Sequence, residues 1–338
     1  MVLETIWFFL WGLLWAIFFI TDGFDLGVGS MIPFLADNEM EKRKMYNAIG
    51  PVWDGNEVWL ITAGGVTFAA FPMVYGVMFS TMYTPLMLIL FGLIFRGVAI
   101  EFRENDESKA WRAVWDICMC VGSFIPAFLF GVAFANIFQG IPFDNNGVFY
   151  GSLLTFINPY GLLGGILFVL LFLMHGAIWL TIKTDGNLQK KAEALILKLW
   201  PTIVTAILVF VAASRYATSL FENYQRNPML YVVLLLAVLS ILAVRFYIYM
   251  KHYWFAWFSS AITIFSCVFF GIIGLYPNMY PSLIDESFSL TAHNASSSPL
   301  TLTIMLVVVL MFLPVVIGYQ IWAYCLFKDK FSETELIY

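Results

Sequence analysis

Charge is scarce in this chain. Only 12% of its 338 residues are Asp, Glu, Lys or Arg, about half the share of an ordinary soluble domain. No basic cluster exceeds the Lys42-Arg43-Lys44 triplet, too small for a phosphate-binding face, so nucleic acid is excluded as a partner. Donors for metals and haem are equally few. The three histidines, His175, His252 and His293, are far apart, and only His175 lies inside an apolar run. It could serve as an axial haem ligand, but a histidine hydrogen-bonded in a helix contact is the better reading. Cys118 and Cys120 are two residues apart on a helical stretch and point to nearly opposite sides; with Cys267 and Cys325 they read as small apolar residues. The 15 methionines have no His or Cys nearby and read as packing. No nucleophile has a base beside it, and GFDLGVG lacks the lysine and the spacing of a phosphate loop. Catalytic, cofactor-binding and metal residues are therefore expected to be absent from this chain. Its amino terminus lacks both the basic region and the small-residue cleavage site of a secretory signal, so the first apolar run is expected to remain as an anchor.

Apolar residues, by contrast, make up 61% of the chain. A spanning helix needs about 20 of them in succession, and nine runs qualify: Ile6–Met31, Val58–Met78, Thr81–Ile100, Val114–Phe138, Pro159–Ile182, Pro201–Ser219, Met229–Met250, Trp257–Tyr276 and Leu300–Phe327. Segments two and three are joined so closely that a tight helical hairpin is expected near Pro72 to Ser80. The predicted fold is all-α: one multi-pass membrane domain over 1–338, with about nine helices arranged as two four-helix bundles plus one. Pro72, Pro126 and Pro314 are expected to bend their segments, and Trp7, Trp11, Trp254 and Trp322 to anchor segment ends at the interface. Of the 17 basic residues, 15 fall in the odd-numbered connections or the tail, leaving only Arg215 and Arg226 on the other side. The positive-inside rule then puts the amino terminus outside and the carboxyl terminus in the cytoplasm.

Carboxylates appear where apolar runs begin and end. TDGFDLGVG holds Asp22 and Asp25 near the close of the first segment, and GPVWDGNEVWLITAGG holds Asp54 and Glu57 at the opening of the second. An acid at the middle of a lipid-facing helix costs about 2.5–3.5 kcal/mol, so such acids face protein or water and often mark an ion or proton route. Each pair is spaced i,i+3 and shares a helix face. Four acids gathered near the inner surface cannot all stay ionised without water, a cation or shared protons. Gly23 and Gly27, with Gly64-Gly65 on the second segment, are expected to let the two helices approach closely. Asp116 and Glu101 are expected to pair with Arg112, Arg96 or Arg103.

Two function classes fit these residues. One is a proton- or cation-coupled secondary transporter using Asp25 and Asp54. The other is a membrane subunit of an energy-converting complex whose acids deliver protons to a partner. Segments five to nine have no acid in their centres, and this asymmetry counts against the paired half-sites of a transporter.

The motifs TDGFDLGVG, IGPVWDGNEVWLITAGGVTFAAFPMVY, FRGVAIEFR, SFIPAFLFGVAFANIFQGIPF and FINPYGLLGG resemble subunit II of the cytochrome bd-type quinol oxidases. The resemblance is detailed in the first half and extends over the whole chain in length and hydropathy. It implies a nine-helix, haem-free subunit in a prokaryotic cell membrane. Its partner would be subunit I, which carries haems b and d and the quinol site; a small single-helix accessory subunit and membrane lipid are further partners. The complex would oxidise quinol, reduce dioxygen to water with cytoplasmic protons, and generate a membrane potential without pumping. The family pattern implies proton-path roles for Asp54, in WDGN, and Asp25, with Asp22 and Glu57 as further candidates. Glu57 stands where some relatives have glutamine.

Overall fold

The computed structural model describes residues 2–330. Helices dominate, in the order α1 (Val2–Leu35), α2 (Glu39–Ile49), α3 (Trp53–Ala70), α4 (Pro72–Thr81), α5 (Tyr83–Phe102), α6 (Lys109–Gln139), α7 (Pro159–Lys183), α8 (Gly186–Ala217), α9 (Phe221–Arg226), α10 (Val232–Tyr249), α11 (Tyr253–Leu275) and α12 (Pro299–Leu326). Strands β1 (Asn278–Tyr280) and β2 (Leu290–Thr291) pair antiparallel in the loop before α12. Among the described residues, eight helices are long and apolar enough to cross a membrane.

Expected segments and observed helices agree closely except at two places. Val58–Met78 is not one helix. It divides between α3 and α4 at Phe71, because a residue before proline is pushed out of the helical region and Pro72 suits the first position of a new helix. The hairpin expected over 72–80 is accordingly a separate helix, with Met82 alone between α4 and α5. The sixth segment starts earlier than expected. Leu188, Ala192 and Ile196 recur every four residues and are buried, so α8 begins at Gly186 and runs through Pro201.

α3 is not one of the eight apolar helices; counted with them, the long helices among the described residues form two groups of four with one left over. In the first group α1 packs on α3 and α6, and α6 packs on α5. In the second, α7 packs on α8 and α11, and α11 packs on α10. The pairing scheme is thus repeated, and α7 joins the groups by resting on both α1 and α6. The ninth member, α12, lies outside them, with Leu302 as its single buried residue.

Glycine controls the tightest of these contacts. A Cβ on Gly27 of α1 would overlap the Phe172 carbonyl of α7, and one on Gly176 of α7 would lie 2.7 Å from Val28 N and 2.8 Å from Phe24 O. The small-residue step of α1 therefore faces α7, not α3 as expected. Gly64 and Gly65 have open space beside them and line an apolar cavity of about 660 Å3 among α1, α3, α5 and α6. Trp7 and Trp11 also differ from expectation. Both are buried, where Trp7 Nε1 donates to Leu302 O and Trp11 Nε1 to Thr67 Oγ1, so they tie α1 to α12 and α3. Trp254 and Trp322 are exposed at segment ends.

The basic connections meet at one end of the molecule. Buried Arg103 pairs with Asp116 at 2.7 Å and Glu39 at 2.8 Å, while Lys42 reaches Asp116 at 2.8 Å. Lys191 of α8 holds Glu41 of α2 at 2.6 Å. Burial alone would push the Glu41 carboxyl up. The Lys191 ammonium, the Asp37 N–H and the Asn187 amide overcome this and hold it below the usual range.

A Gly27→Ala substitution is expected to cost about 1–3 kcal/mol through forced separation of α1 and α7. Gly64→Ala, facing the cavity, should be neutral or slightly stabilising. Thermal unfolding in detergent separates the two, and equal shifts would contradict the packing described. Glu41, with its pKa depressed in the folded state, contributes stability that is present above about pH 4.3 and lost as the pH falls through the folded value. Glu41→Gln should therefore lower the unfolding temperature at neutral pH, with the gap to the parent closing in acid. A gap independent of pH would show that the ion pair is not its source.

Candidate functional site

The most unusual chemistry in the interior lies where α1, α3 and α5 meet. Asp22 and Asp25 share one face of α1 by their i,i+3 spacing, and both are 0% exposed. Arg96, also 0% exposed, extends toward them from α5. Its placement follows from the approach of α5 to α6: a Cβ on Gly122 would lie 2.7 Å from Gly92 O and 2.8 Å from Arg96 N. With no side chain at either glycine, α5 seats deeply enough for its arginine to reach α1.

The guanidinium serves two acids. Nη1 approaches Asp22 Oδ1 to 2.8 Å, an ion-pair distance off the line of a hydrogen bond, and Nη2 donates to Glu57 Oε2 at 3.2 Å. Asp25 is held differently. Asn56 Nδ2 donates to its Oδ2 at 2.7 Å, and the Asn56 Oδ1 accepts from the Tyr324 hydroxyl at 2.5 Å. Gln320, one turn before Tyr324 on α12, donates to Gly55 O at 3.0 Å and accepts from Trp59 Nε1 at 3.0 Å. Asp22 Oδ2 and Asp25 Oδ1 are buried without a hydrogen-bond partner among the described residues. A carboxyl in this position can take a proton or a water hydrogen without first breaking a bond.

Three of the four acids singled out in the sequence thus come together: Asp22, Asp25 and Glu57. Asp54 does not join them. It is exposed on the first turn of α3, and its Oδ1 accepts the Gly55 N–H at 2.7 Å. The i,i+3 spacing of Asp54 and Glu57 puts them on the same side of α3, but Glu57 is drawn inward by Arg96. Asp116 pairs with Arg103, as the sequence suggested, whereas Arg96 belongs to the acid cluster. The signal for Arg96 was its place inside the apolar run Thr81–Ile100, ahead of the Arg103 connection. Asn56, Gln320 and Tyr324 gave no signal of comparable strength, because polar and aromatic residues at segment ends are common.

His175 is fully buried, with Nδ1 3.0 Å from Ser260 Oγ and Nε2 3.0 Å from Ile20 O. Both ring nitrogens are therefore engaged, which does not fit an axial haem ligand. Among the described residues no group of three or more His, Cys, Asp and Glu is arranged to hold a metal ion.

Comparison with known proteins agrees with this architecture. The family described as cytochrome bd terminal oxidase subunit II matches residues 3–327. Cytochrome bd ubiquinol oxidase subunit 2 of Bacillus subtilis (strain 168) is 37% identical over 334 residues, covering 98% of each chain. Cytochrome bd-I ubiquinol oxidase subunit 2 of Escherichia coli (strain K12) is 35% identical over 370 residues, covering 99% of this chain and 97% of that one. A chain in the structure of bd oxidase from Geobacillus thermodenitrificans superposes with a TM-score of 0.79 over 97% of this chain and 99% of its own. Its 19% identity makes that likeness one of fold. Matched along nearly its whole length, the chain belongs to the cytochrome bd terminal oxidase subunit II family.

Proposed function

We propose that this chain is the haem-free second subunit of a membrane oxidase that oxidises quinol and reduces dioxygen to water. In this reading it packs against a haem-bearing subunit I, supports that subunit's assembly, and supplies protons taken from the cytoplasm. Uptake from one side only would generate a membrane potential without pumping. The cell membrane of a prokaryote is its setting, and the end that gathers Lys42, Arg103 and Lys191 faces the cytoplasm.

The observation that carries the reading is the pair of fully buried carboxyls, Asp22 and Asp25, with Arg96 as their counter-charge. Two carboxyls contact one guanidinium and Asp25 lies one helical turn away on α1, so the cluster can gain or release a proton without leaving an isolated charge in a low-dielectric interior. Asp54, exposed on the same turn of α3 as buried Asn56, is suited to be the outer member of the route. Glu57, part-exposed and bound to Arg96, connects that surface to Asp22. Asp25 is the inner member.

In the complex purified with its partner, Asp25→Asn and Asp54→Asn are expected to retain the haem absorption bands while oxygen consumption falls by about tenfold or more in at least one of them. Full turnover in both, with an intact membrane potential, removes the proton-route reading. A haem-free chain that is stable alone and moves a solute would instead support a secondary transporter. Arg96→Leu leaves Asp22 buried beside no cation, which costs about 3–5 kcal/mol, so little haem-loaded complex should accumulate. Arg96→Leu with Asp22→Leu should recover part of the yield. Equal yields from the single and double variants would mean that the pair is not what Arg96 is needed for.

A further inference from the structure

Helix α12 has one buried residue, Leu302, yet it makes three polar contacts with the start of α3. Gln320 and Tyr324 are four residues apart, on one face of α12. Gln320 takes the Gly55 carbonyl and the Trp59 indole, and Tyr324 takes Asn56. The Tyr324 ring is fixed in turn, lying edge-on to Trp179 at 5.9 Å, whose Nε1 donates to Ala48 O at 2.8 Å. Tyr324 also borders a cavity of about 580 Å3, walled by Trp179, Trp254 and Trp257 with Lys328 and Asp329 in its lining. Tyr324 and Asn56 therefore lie in series between that cavity and Asp25.

A primary amide has two unlike ends. The Tyr324 hydroxyl donates to Asn56 Oδ1, which turns the Asn56 NH2 group toward Asp25. There it can only donate, and a donor favours the ionised carboxylate over the acid. Without the phenol the amide is free to turn over and present its oxygen, which accepts a hydrogen bond only from a protonated carboxyl. Gln320 contacts the same turn of α3 but touches neither end of the Asn56 amide.

We propose that Tyr324 is a positioning residue for Asp25, acting across the helix boundary by fixing which end of the Asn56 amide faces the carboxyl. This deepens the proton-route reading and rests on it for its role in turnover: α12 sets how readily the inner acid of the route holds its proton. The charged groups acting on Asp25 from the packed elements are Asp22 on α1, Glu57 on α3 and Arg96 on α5, beside the Tyr324 phenol on α12. On α7, His175 is engaged by Ile20 O and Ser260.

The test uses the assembled complex and follows the infrared carboxyl band of Asp25, assigned by its loss in Asp25→Asn, as a function of pH. Tyr324→Phe keeps the ring against Trp179 and removes only the hydroxyl, so the protonated-carboxyl band should persist to about one pH unit higher than in the parent. Gln320→Leu, which loosens the same helix without touching the amide, should titrate with the parent. In an Asn56→Leu background, Tyr324→Phe should cause no additional shift, because the amide through which it acts is gone. A parent-like titration in Tyr324→Phe, an equal shift in Gln320→Leu, or an additive shift in the double variant each overturns the positioning role. Full turnover of both Asp25→Asn and Asp54→Asn overturns the proton-route reading separately, and the infrared shift then still reports whether Tyr324 orients the Asn56 amide.

Discussion

A guanidinium inside an apolar helix bundle is tolerated only if carboxylates reach it there, and the first half of this protein is built around meeting that demand. Arg96 holds Asp22 of α1 and Glu57 of α3 from its own position on α5, so one side chain constrains three helices. The value of such a pair is not its net contribution to stability, since desolvation offsets much of the Coulomb attraction. Its effect is on geometry: a shift of α5 by one turn would strand a charge on each side. The glycines at Gly92 and Gly122 that let α5 and α6 close up serve the same end.

The surroundings of this cluster are tight on one side and loose on the other. Against α7, the backbone of α1 is in direct contact through Gly27 and Gly176. Against α3 and α5, space remains around Gly64 and Gly65. Polar groups therefore do in α3 and α12 what apolar packing does in α1 and α7. Trp11 with Thr67, Trp59 with Gln320, and Tyr324 with Asn56 hold helices at chosen points.

Much of this was legible in the sequence because lipid imposes a length on each apolar run. The ends of α7, α11 and α12 fall within a few residues of the segments read from hydropathy. The break at Phe71 needed a local rule, the effect of Pro72 on its predecessor, that a hydropathy reading overrides. The early start of α8 needed the four-residue spacing of Leu188, Ala192 and Ile196, which the interspersed Lys190 and Lys191 obscure. At the site, Asp22, Asp25 and Glu57 stood out as acids in apolar company. Asp54 looked equivalent to them in sequence yet faces outward, because spacing alone does not say which side of α3 meets α1. Arg96 was counted with the basic connections, although four apolar or small residues separate it from Glu101. Tyr324 could not be foreseen, since its partner lies 268 positions away.

The distance along the chain between Asp22 and Arg96 also bears on biogenesis. The ribosome delivers α1 to the insertion machinery before α5 exists, so both acids must enter the bilayer without their counter-ion. The long aromatic stretch from Trp7 to Ile20 has to carry that penalty alone. Only when α5 follows does Arg96 meet Asp22 and Glu57.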